Sequence, residues 1–253
     1  MSITEYVNLK RSIYREYSRS YDEDRQRFVS AGALSRRIGW ALQPLAPGKA
    51  VLDLGCGTGE LLLRAHQHIG GMGTLVGLDL TPEMLSLAGT RLGTMAGLVQ
   101  GNATGGLPYR QGSFDLVTSL NLLQELPVSA IQPLLGELQR VIKPCGALRL
   151  VIPCMVETNP ASQAFREMAH DLGAMEFLAA QELKGLLSKI PGFVRQESWV
   201  VPSPAASAAA SGQTRFTFFT QLLQEIKERG LDPAQVKQGV LFFAAQREPQ
   251  RTE

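Results

Sequence analysis

The ten residues VLDLGCGTGE, positions 51–60, constrain the fold more than any other stretch of this chain. They begin with an apolar run typical of a buried strand, continue through glycines at positions 55, 57 and 59, and end in residues that favour a helix. A strand that turns on glycines into a helix is the first half of a βαβ unit, and such units build parallel sheets with helices on both faces. The stretch therefore predicts an α/β protein whose glycine turn lies beside a bound ligand.

The rest of the chain repeats this alternation. Apolar runs of strand length are separated by segments in which apolar residues recur at helical spacing. The pattern predicts a seven-stranded, mostly parallel sheet in a single domain. The predicted strands are 49–54, 74–79, 98–101, 114–119, 147–153, 193–200 and 240–245, and the predicted helices between them are 58–69, 81–92, 131–142 and 180–189.

Three further segments interrupt the alternation. Residues 1–45 predict a helical cap, whereas 155–179 and 201–238 are insertions that we expect to act as helical lids at the ligand-binding edge of the sheet. The methionine and phenylalanine residues of the insertions are most simply helix faces packed into a core, although part of them should line a pocket. The predicted organisation is 1–45 cap, 46–154 core, 155–179 lid, 180–200 core, 201–238 lid and 239–253 last strand and tail.

Composition argues against two classes of protein. The 253 residues are 44% hydrophobic and 19% charged, and 25 basic against 23 acidic residues leave a net charge of +2. Nucleic-acid-binding surfaces usually show a basic excess, and no apolar run approaches the ~18–20 residues of a membrane span. The N-terminal sequence lacks the apolar centre of a secretion signal. We therefore expect a cytoplasmic protein that binds neither nucleic acid nor membrane.

The cysteines and histidines predict neither disulfides nor a metal site. Three cysteines are an odd number, and Cys145 and Cys154 lie at opposite ends of one predicted strand. His66 and His68 are two positions apart on a predicted helix, so their side chains face different directions. The sequence predicts no metal.

The spacing of the glycines bears on the ligand. A dinucleotide turn reads G-x-G-x-x-G, whereas Gly55, Gly57 and Gly59 read G-x-G-x-G. Asp53 would repel a pyrophosphate but attract the ammonium group of S-adenosylmethionine, directly or through water. Asp79 ends the second strand, where a carboxylate can accept hydrogen bonds from ribose hydroxyls. Because dinucleotides and S-adenosylmethionine both contain adenosine, Asp79 is compatible with either cofactor. Together these residues favour S-adenosylmethionine as the cofactor.

Four segments now resemble a known family. VLDLGCGTGE, LVGLDLTPEML, LVQGNATGGLPYRQGSFDLVTSLNLLQEL and LQRVIKPCGALRLV are similar, in order and spacing, to the motifs of class I S-adenosylmethionine-dependent methyltransferases. The similarity is greatest to the small-molecule branch that includes the ubiquinone and menaquinone methyltransferases, and it covers about residues 14–153 and, more loosely, the last strand. The resemblance implies a Rossmann-like, doubly wound sheet.

The resemblance implies roles for the residues of the first two motifs. Gly55, Cys56, Gly57 and Gly59 would wrap the methionyl part of the cofactor, and Asp79 would hold the ribose.

The adenine site follows by position in the same way. Leu80 and Met84 would pack on the adenine, and Asn102, where relatives usually have Asp, would accept from the adenine amino group through its carbonyl oxygen. Ala103 would add a backbone contact, and Leu120 would meet the cofactor just after the fourth strand.

The resemblance also assigns a role to an N-terminal tyrosine, and it reaches two positions at which this chain differs from its relatives. Tyr21 matches the tyrosine of an N-terminal YD signature that helps to close the site in relatives, and Tyr14 and Tyr17 are near enough to share that role. Gln124, assigned to the cofactor site, and Glu125 stand where relatives often have a histidine pair, which argues against histidine-based proton transfer there.

Glu125 and His170 are the candidate catalytic bases. His170 lies in the first lid insertion and Glu125 follows the fourth strand, so either could meet an acceptor. The alternative interpretation makes His170 a half-buried surface histidine and Glu125 a salt-bridged loop residue.

The sequence thus predicts a methyltransferase that acts on a small, apolar acceptor at carbon or oxygen, with a homodimer as one possible assembly. Two alternatives remain open: an enzyme of this fold that binds the cofactor but catalyses cyclisation or rearrangement, and a non-catalytic binding subunit. Residues 121–124, Asn-Leu-Leu-Gln, lack the N-P-P-aromatic pattern of enzymes that methylate base amino groups.

Overall fold

A seven-stranded sheet forms the centre of the molecule. The computed structural model describes residues 2–173, 175–202 and 217–250, without the side chains of 26–28 and 217–220. The strand order is β3-β2-β1-β4-β5-β7-β6, and β7 runs antiparallel to both of its neighbours while the other described strands share one direction. The strands are β1 (Lys49–Leu54), β2 (Gly73–Asp79), β3 (Gly97–Gln100), β4 (Phe114–Leu120), β5 (Ile142–Met155), β6 (Phe193–Pro202) and β7 (Gln238–Arg247). The predicted Rossmann-like, mostly parallel sheet of seven strands is confirmed.

Helices cover both faces of this sheet. They are α1 (Ile3–Tyr17), α2 (Tyr21–Phe28), α3 (Ala31–Leu42), α4 (Glu60–His68), α5 (Pro82–Leu92), α6 (Val128–Val141), α7 (Pro160–Asp171), α8 (Ala180–Leu187) and α9 (Thr217–Glu228). Alternate residues of β1 separate the two faces: Val51 packs with α3, α4 and α5, whereas Leu52 and Leu54 pack on the side of α6 and α8. These side chains are fully buried, and each such burial stabilises the fold by about 2 kcal/mol.

β5 begins five residues earlier than the sequence predicts. We expected a helix to residue 142 followed by a loop, but Ile142 already pairs with Phe114 of β4. The chain then bulges at Cys145, whose φ of 63° is left-handed, before regular pairing resumes at Ala147. A side chain at Gly146 would lie 2.7 Å from Ile142, so the bulge needs a glycine at that position. Sequence periodicity detects the regular part of a strand but not such a bulge.

The two insertions pack mainly on each other. Met155, Phe165 and Phe177 of the first insertion share a buried cluster with Leu223 and Ile226 of α9. The interpretation of these apolar side chains as a core is therefore confirmed for the described residues. Of the methionine and phenylalanine residues of the insertions, Phe216 and the side chain of Phe219 lie outside the described part of the chain.

The N-terminal residues form three helices, α1, α2 and α3. α3 packs against the sheet through Ile38, Ala41 and Leu42, whereas α1 contacts α5 near the carboxyl ends of the strands. α1 therefore lies at the edge of the sheet where ligands bind in such folds.

Within the described ranges, no helix has the length and apolar character needed to cross a bilayer. In the same ranges, no group of three or more His, Cys, Asp and Glu side chains could hold a metal ion.

Candidate functional site

A cavity lies at the carboxyl ends of β1, β2, β3 and β4, under α1. Its place is the ligand-binding edge of a doubly wound sheet. The wall consists of residues 55, 57, 78–81, 84, 101–104, 120–122 and 125–127 from the sheet side, and 6, 7, 10, 14 and 21 from the N-terminal helices.

The turn after β1 forms the floor of this cavity. Gly55 and Gly57 line it, and both have left-handed φ values, of 72° and 51°. The N–H groups of Gly55 and Cys56 donate to the carbonyl of Leu78, at 2.8 and 3.1 Å, which ties the turn to β2. A side chain at Gly55 would lie 3.1 Å from Leu122. The glycines therefore keep the backbone open to a ligand.

Two of the four residues assigned to the methionyl part, Cys56 and Gly59, lie outside this wall. Cys56 is buried against β2. Its Sγ packs so closely on Gly77 that a side chain at Gly77 would lie 2.7 Å from it. Burial, and then the nearby carboxylates of Asp53 and Asp79, raise the pKa of the Cys56 thiol, so it stays protonated. Cys56 thus lies outside the cavity wall, and its predicted part in wrapping the methionyl group remains a prediction.

Gly59 also has a structural explanation. It precedes α4 with a φ of 81°, and a side chain there would lie 2.8 Å from Leu92 and 3.2 Å from Ala88 on α5. Close packing between α4 and α5 therefore explains why a glycine stands at this position. Gly59 is not in the cavity wall, and its contact with the methionyl group remains a prediction.

Asp79 connects the turns that follow β1 and β2. Its Oδ2 accepts from the N–H of Gly57 and its Oδ1 from the N–H of Thr81, both at 2.9 Å. Burial raises the pKa of Asp79, and these backbone hydrogen bonds oppose the rise. The carboxylate lines the cavity. A carboxylate in this position can accept hydrogen bonds from ligand hydroxyl groups.

Asp53 is placed differently from the expectation. Its side chain is buried, accepts a hydrogen bond of 2.9 Å from Thr118 Oγ1, and is not among the described residues that line the cavity. Burial raises the pKa of Asp53 to about 7. The structure thus gives no direct contact between Asp53 and a ligand ammonium, and only the predicted contact through water remains.

The predicted adenine residues come together on one wall. Leu80, Met84, Ala103 and Leu120 all line the cavity beside Asn102. This grouping matches the positions assigned from the motifs, although the roles themselves remain predictions.

Asn102 departs from its expected role in one respect. Its Oδ1 already accepts from the backbone N–H and the hydroxyl of Thr104, both at 2.9 Å. Because this oxygen is engaged twice, it is poorly available to an adenine amino group, and the unengaged polar atom of the side chain is its amide nitrogen.

The N-terminal tyrosines lie over the glycine turn. Tyr21 and Tyr14 line the cavity, and Tyr21 lies 4.0 Å from the position of a side chain on Gly57. Tyr17 joins them in a row, with ring centroids 6.0 Å from Tyr14 and 5.2 Å from Tyr21. Burial raises the pKa of Tyr21 to about 12, so its hydroxyl is neutral at physiological pH.

An ion pair that the sequence did not reveal fastens α2 to the turn. Arg91 of α5 donates to Asp22 at 2.6 Å and to Thr58 Oγ1 at 2.7 Å, and Thr58 also donates to Asp22 at 2.8 Å. Asp22 directly follows Tyr21, so this network fixes the tyrosine beside the glycines.

Glu125 lies in the cavity wall, but its carboxylate is engaged. It forms an ion pair of 2.7 Å with Lys10 of α1, and the two side chains are 8% and 5% exposed. Gln124 donates to the other carboxylate oxygen at 3.2 Å and to the carbonyl of Asn121 at 2.7 Å. Gln124 is buried outside the wall, so its predicted contact with the cofactor is not supported. The alternative interpretation of Glu125 as a salt-bridged residue fits this geometry better than a general base.

His170 is on the surface and not in the cavity wall. Its side chain is 66% exposed, and its Nδ1 lies 2.8 Å from Glu176 Oε1. The structure therefore gives no support to its predicted role as a catalytic base. Likewise, no described residue of 155–179 or 217–238 lines the cavity, so α1 occupies the position that we expected of the two insertions.

Residues 51–146 match a family described as "Methyltransferase domain". The chain is 33% identical over 124 residues to the demethylmenaquinone methyltransferase of Lactococcus lactis, which covers 47% of this chain and 46% of that protein. It is 32% identical over 140 residues to the 2-phytyl-1,4-naphtoquinone methyltransferase of Synechococcus elongatus, which covers 53% of this chain and 58% of that protein. The chain thus spans about half the length of these relatives.

The structure is similar to phosphoethanolamine N-methyltransferase 2 of Haemonchus contortus, solved in complex with S-adenosyl-L-methionine. The TM-score is 0.70 at 18% identity, and 94% of this chain and 60% of that chain are covered. The fold is that of the class I methyltransferases. In this fold, the cavity under α1 lies at the carboxyl ends of the parallel strands, where doubly wound sheets bind ligands.

The packing of Gly59 leads to a test with two glycines. Gly59→Ala should lower the free energy of unfolding by about 1–3 kcal/mol, because the new methyl group meets Leu92 and the backbone is left-handed. The matched control is Gly39→Ala in α3, where no atom lies within 4 Å, and this change should stabilise by about 0.5–1 kcal/mol. Chemical denaturation measures both. A Gly59→Ala protein with unchanged stability would contradict the packing explanation.

The raised pKa of Asp53 predicts a pH dependence of stability. In the unfolded chain the carboxyl titrates near its ordinary 3.8, but in the fold near 7, so the folded state keeps a proton that the unfolded state has lost between these values. The stability that this proton contributes is full below about pH 4 and is lost as the pH rises to about 7. Asp53→Asn should therefore gain about 2–4 kcal/mol relative to the wild type across this window. A difference that does not change with pH would mean that the pKa of Asp53 is the same in the folded and the unfolded state.

Proposed function

We propose that this protein is an S-adenosylmethionine-dependent methyltransferase that methylates a small, apolar metabolite at carbon or oxygen. The observation that carries the proposal is Asp79, whose carboxylate faces the cavity while the N–H groups of Gly57 and Thr81 hold it in place. The similarity to methyltransferases named for quinone substrates supports an acceptor of this kind.

The charges around the cavity suit this cofactor better than a dinucleotide. The only cationic side chain among the described wall residues is Lys10, and it is paired with Glu125. Asp79 adds a negative charge to the wall, and burial opposes ionisation of Asp53 just behind it. A pyrophosphate would find no free cation here, whereas a ligand with sulfonium and ammonium groups would be attracted.

Each part of the wall has a role in holding this cofactor. Asp79 would accept from the ribose hydroxyls, and Leu80 and Met84 would cover the adenine. Gly55 and Gly57 would let the methionyl part approach the backbone. Asn121 offers a buried Oδ1 without a hydrogen-bond partner among the described residues, which suits the ammonium group.

The protein's contribution to the reaction is alignment and exclusion of water. S-Adenosylmethionine supplies a methyl group on a sulfonium, which an acceptor atom takes by in-line displacement. α1 covers the cavity with Tyr6, Lys10 and Tyr14, so that the acceptor and the cofactor meet away from solvent. The acceptor loses a proton in such a transfer, and the engaged carboxylate of Glu125 is poorly suited to take it. A cytoplasmic location, the absence of nucleic-acid partners and a homodimer remain predictions.

Asp79 gives the first test of the cofactor. S-Adenosylhomocysteine should raise the melting temperature of the wild type through binding linkage, and NAD should not. Asp79→Ala should remove most of this rise, because each charge-assisted bond to the ribose contributes about 1.5–3 kcal/mol.

The matched control for that test is Asp115→Ala. Asp115 is also a carboxylate that accepts a backbone hydrogen bond, from Ala50 at 2.9 Å, but it lies at the opposite edge of the sheet beside Lys49 and Lys143. This variant should be less stable and yet show the full ligand-induced rise. Equal stabilisation of the wild type by NAD would contradict the proposal.

Methyl transfer itself is tested with labelled cofactor. Incubation with methyl-labelled S-adenosylmethionine and a metabolite extract should yield a product that carries the label, detected by mass spectrometry, and Asp79→Ala should yield far less. A product whose mass equals that of its precursor would instead indicate a rearrangement, and the methyl-transfer proposal would be wrong.

A further inference from the structure

The hydroxyl of Tyr6 is a buried polar group with no protein partner. Tyr6 lies on α1, is 5% exposed, and lines the cavity. Its hydroxyl has no hydrogen-bond partner within residues 2–173, 175–202 and 217–250. Buried hydroxyls are nearly always paired, because an unpaired one is destabilising. An unpaired hydroxyl in a cavity wall therefore points to a ligand that pairs with it.

The neighbouring charged groups hold Tyr6 in place but leave its hydroxyl available. Lys10 lies one helical turn further along α1, with its Nζ 5.3 Å from the centre of the Tyr6 ring. The same Nζ is bound to Glu125 at 2.7 Å, and Gln124 occupies the other oxygen of that carboxylate. The ion pair therefore fixes the ring from one side, and the hydroxyl remains without a bond.

The protonation state of Tyr6 determines what it can bind. Burial raises its pKa, and the negative charges of Glu125 and Glu176 raise it further. The hydroxyl thus remains protonated across physiological pH and can donate a hydrogen bond. Its natural partner is an oxygen with a free lone pair, such as a carbonyl or a phenolate.

Tyr6 also lies at the end of the cavity that the cofactor would leave open. Asp79 and Met84 belong to the β2 side, where the nucleoside would lie, whereas Tyr6 and Val7 belong to α1. The segment after β4 adds Leu126 and Pro127 to the wall. An acceptor placed between these two segments would meet Val7, Leu126 and Pro127, the Lys10–Glu125 ion pair and the unpaired hydroxyl of Tyr6.

We propose that Tyr6 donates a hydrogen bond to an oxygen atom of the methyl acceptor, and that the acceptor is an otherwise apolar compound with a carbonyl or phenolate oxygen. This inference rests on the proposed function and adds the residue that selects the acceptor. Tyr6 thereby discriminates oxygenated compounds from their hydrocarbon counterparts.

The test compares two ring compounds of one shape, 1-tetralone with a carbonyl oxygen and tetralin without it. Each is titrated calorimetrically into the full protein saturated with S-adenosylhomocysteine. The wild type should bind 1-tetralone about tenfold more tightly than tetralin, as expected for one hydrogen bond to a neutral oxygen. Tyr6→Phe should bind both compounds equally, with an affinity close to that of the wild type for tetralin.

Tyr109→Phe is the matched control. Tyr109 is a second tyrosine whose buried hydroxyl has no hydrogen-bond partner among the described residues, but its ring packs on Phe114 and does not line the cavity. This variant should keep the wild-type preference for 1-tetralone. Both substitutions remove only an unpaired hydroxyl, so neither should lower the melting temperature.

Three results would overturn the inference: a wild type without a preference for 1-tetralone, a Tyr6→Phe protein that keeps the preference, or equal losses in both variants. Binding of S-adenosylhomocysteine is measured before the ring compounds are added, and this measurement separates this failure from that of the proposed function. If S-adenosylhomocysteine binds and the preference is absent, only the role of Tyr6 is wrong. If it does not bind, the proposed function is wrong as well.

Discussion

The carboxylate of Asp79 connects the parts on which the site depends. It accepts from Gly57 in the turn after β1 and from Thr81 in the turn after β2, so that two crossover connections are held at one point of the sheet edge. The turn after β1 can only reach this point because Gly55 and Gly57 adopt left-handed backbone angles and Gly55 lies against Leu122. Because the carboxylate also lines the cavity, it is placed to accept hydrogen bonds from a ligand with hydroxyl groups. The fold and the proposed cofactor site therefore share one set of hydrogen bonds.

A second set of contacts closes the cavity from above. Lys10 and Glu125 are 115 positions apart in sequence, and their buried ion pair joins α1 to the segment after β4. A buried pair of this kind contributes little net stability, because both charges lose hydration, but it is costly to break and specifies one arrangement. Asp22 and Arg91 do the same for α2 beside the glycine turn. The N-terminal helices are thus held over the site by polar contacts, whereas the insertions around Phe165 and Ile226 form an apolar core of their own.

Sequence periodicity and motif order predicted the strand alternation, the glycine turn and the grouping of Asp79, Met84 and Asn102 along one edge. These features are local, or follow from the rule that parallel strands end at a common edge. Asp53 and Gly59 lie outside the cavity wall in which we expected them, and their neighbours come from distant segments of the chain. Asp53 is turned to Thr118 on β4, and Gly59 lies against Leu92 on α5.

The same reasoning explains what was missed on α1. Tyr6, Lys10 and Tyr14 recur at a spacing of four and so share one helix face, but nothing local shows that this face meets Glu125. The apolar faces of the insertions were as plausible a cover for the cavity. Only the tertiary contacts of α1 and of the Met155 cluster show that α1, and not the insertions, covers the cavity in the described part of the chain.

The central claim is that the cavity under α1 binds S-adenosylmethionine through Asp79. A crystal structure of the protein with S-adenosylhomocysteine tests it most directly. The account predicts both ribose hydroxyls within hydrogen-bond distance of the Asp79 carboxylate, the adenine against Leu80 and Met84, and the methionyl end beside Gly55 and Gly57. A ligand bound elsewhere, or a ribose turned away from Asp79, would contradict it.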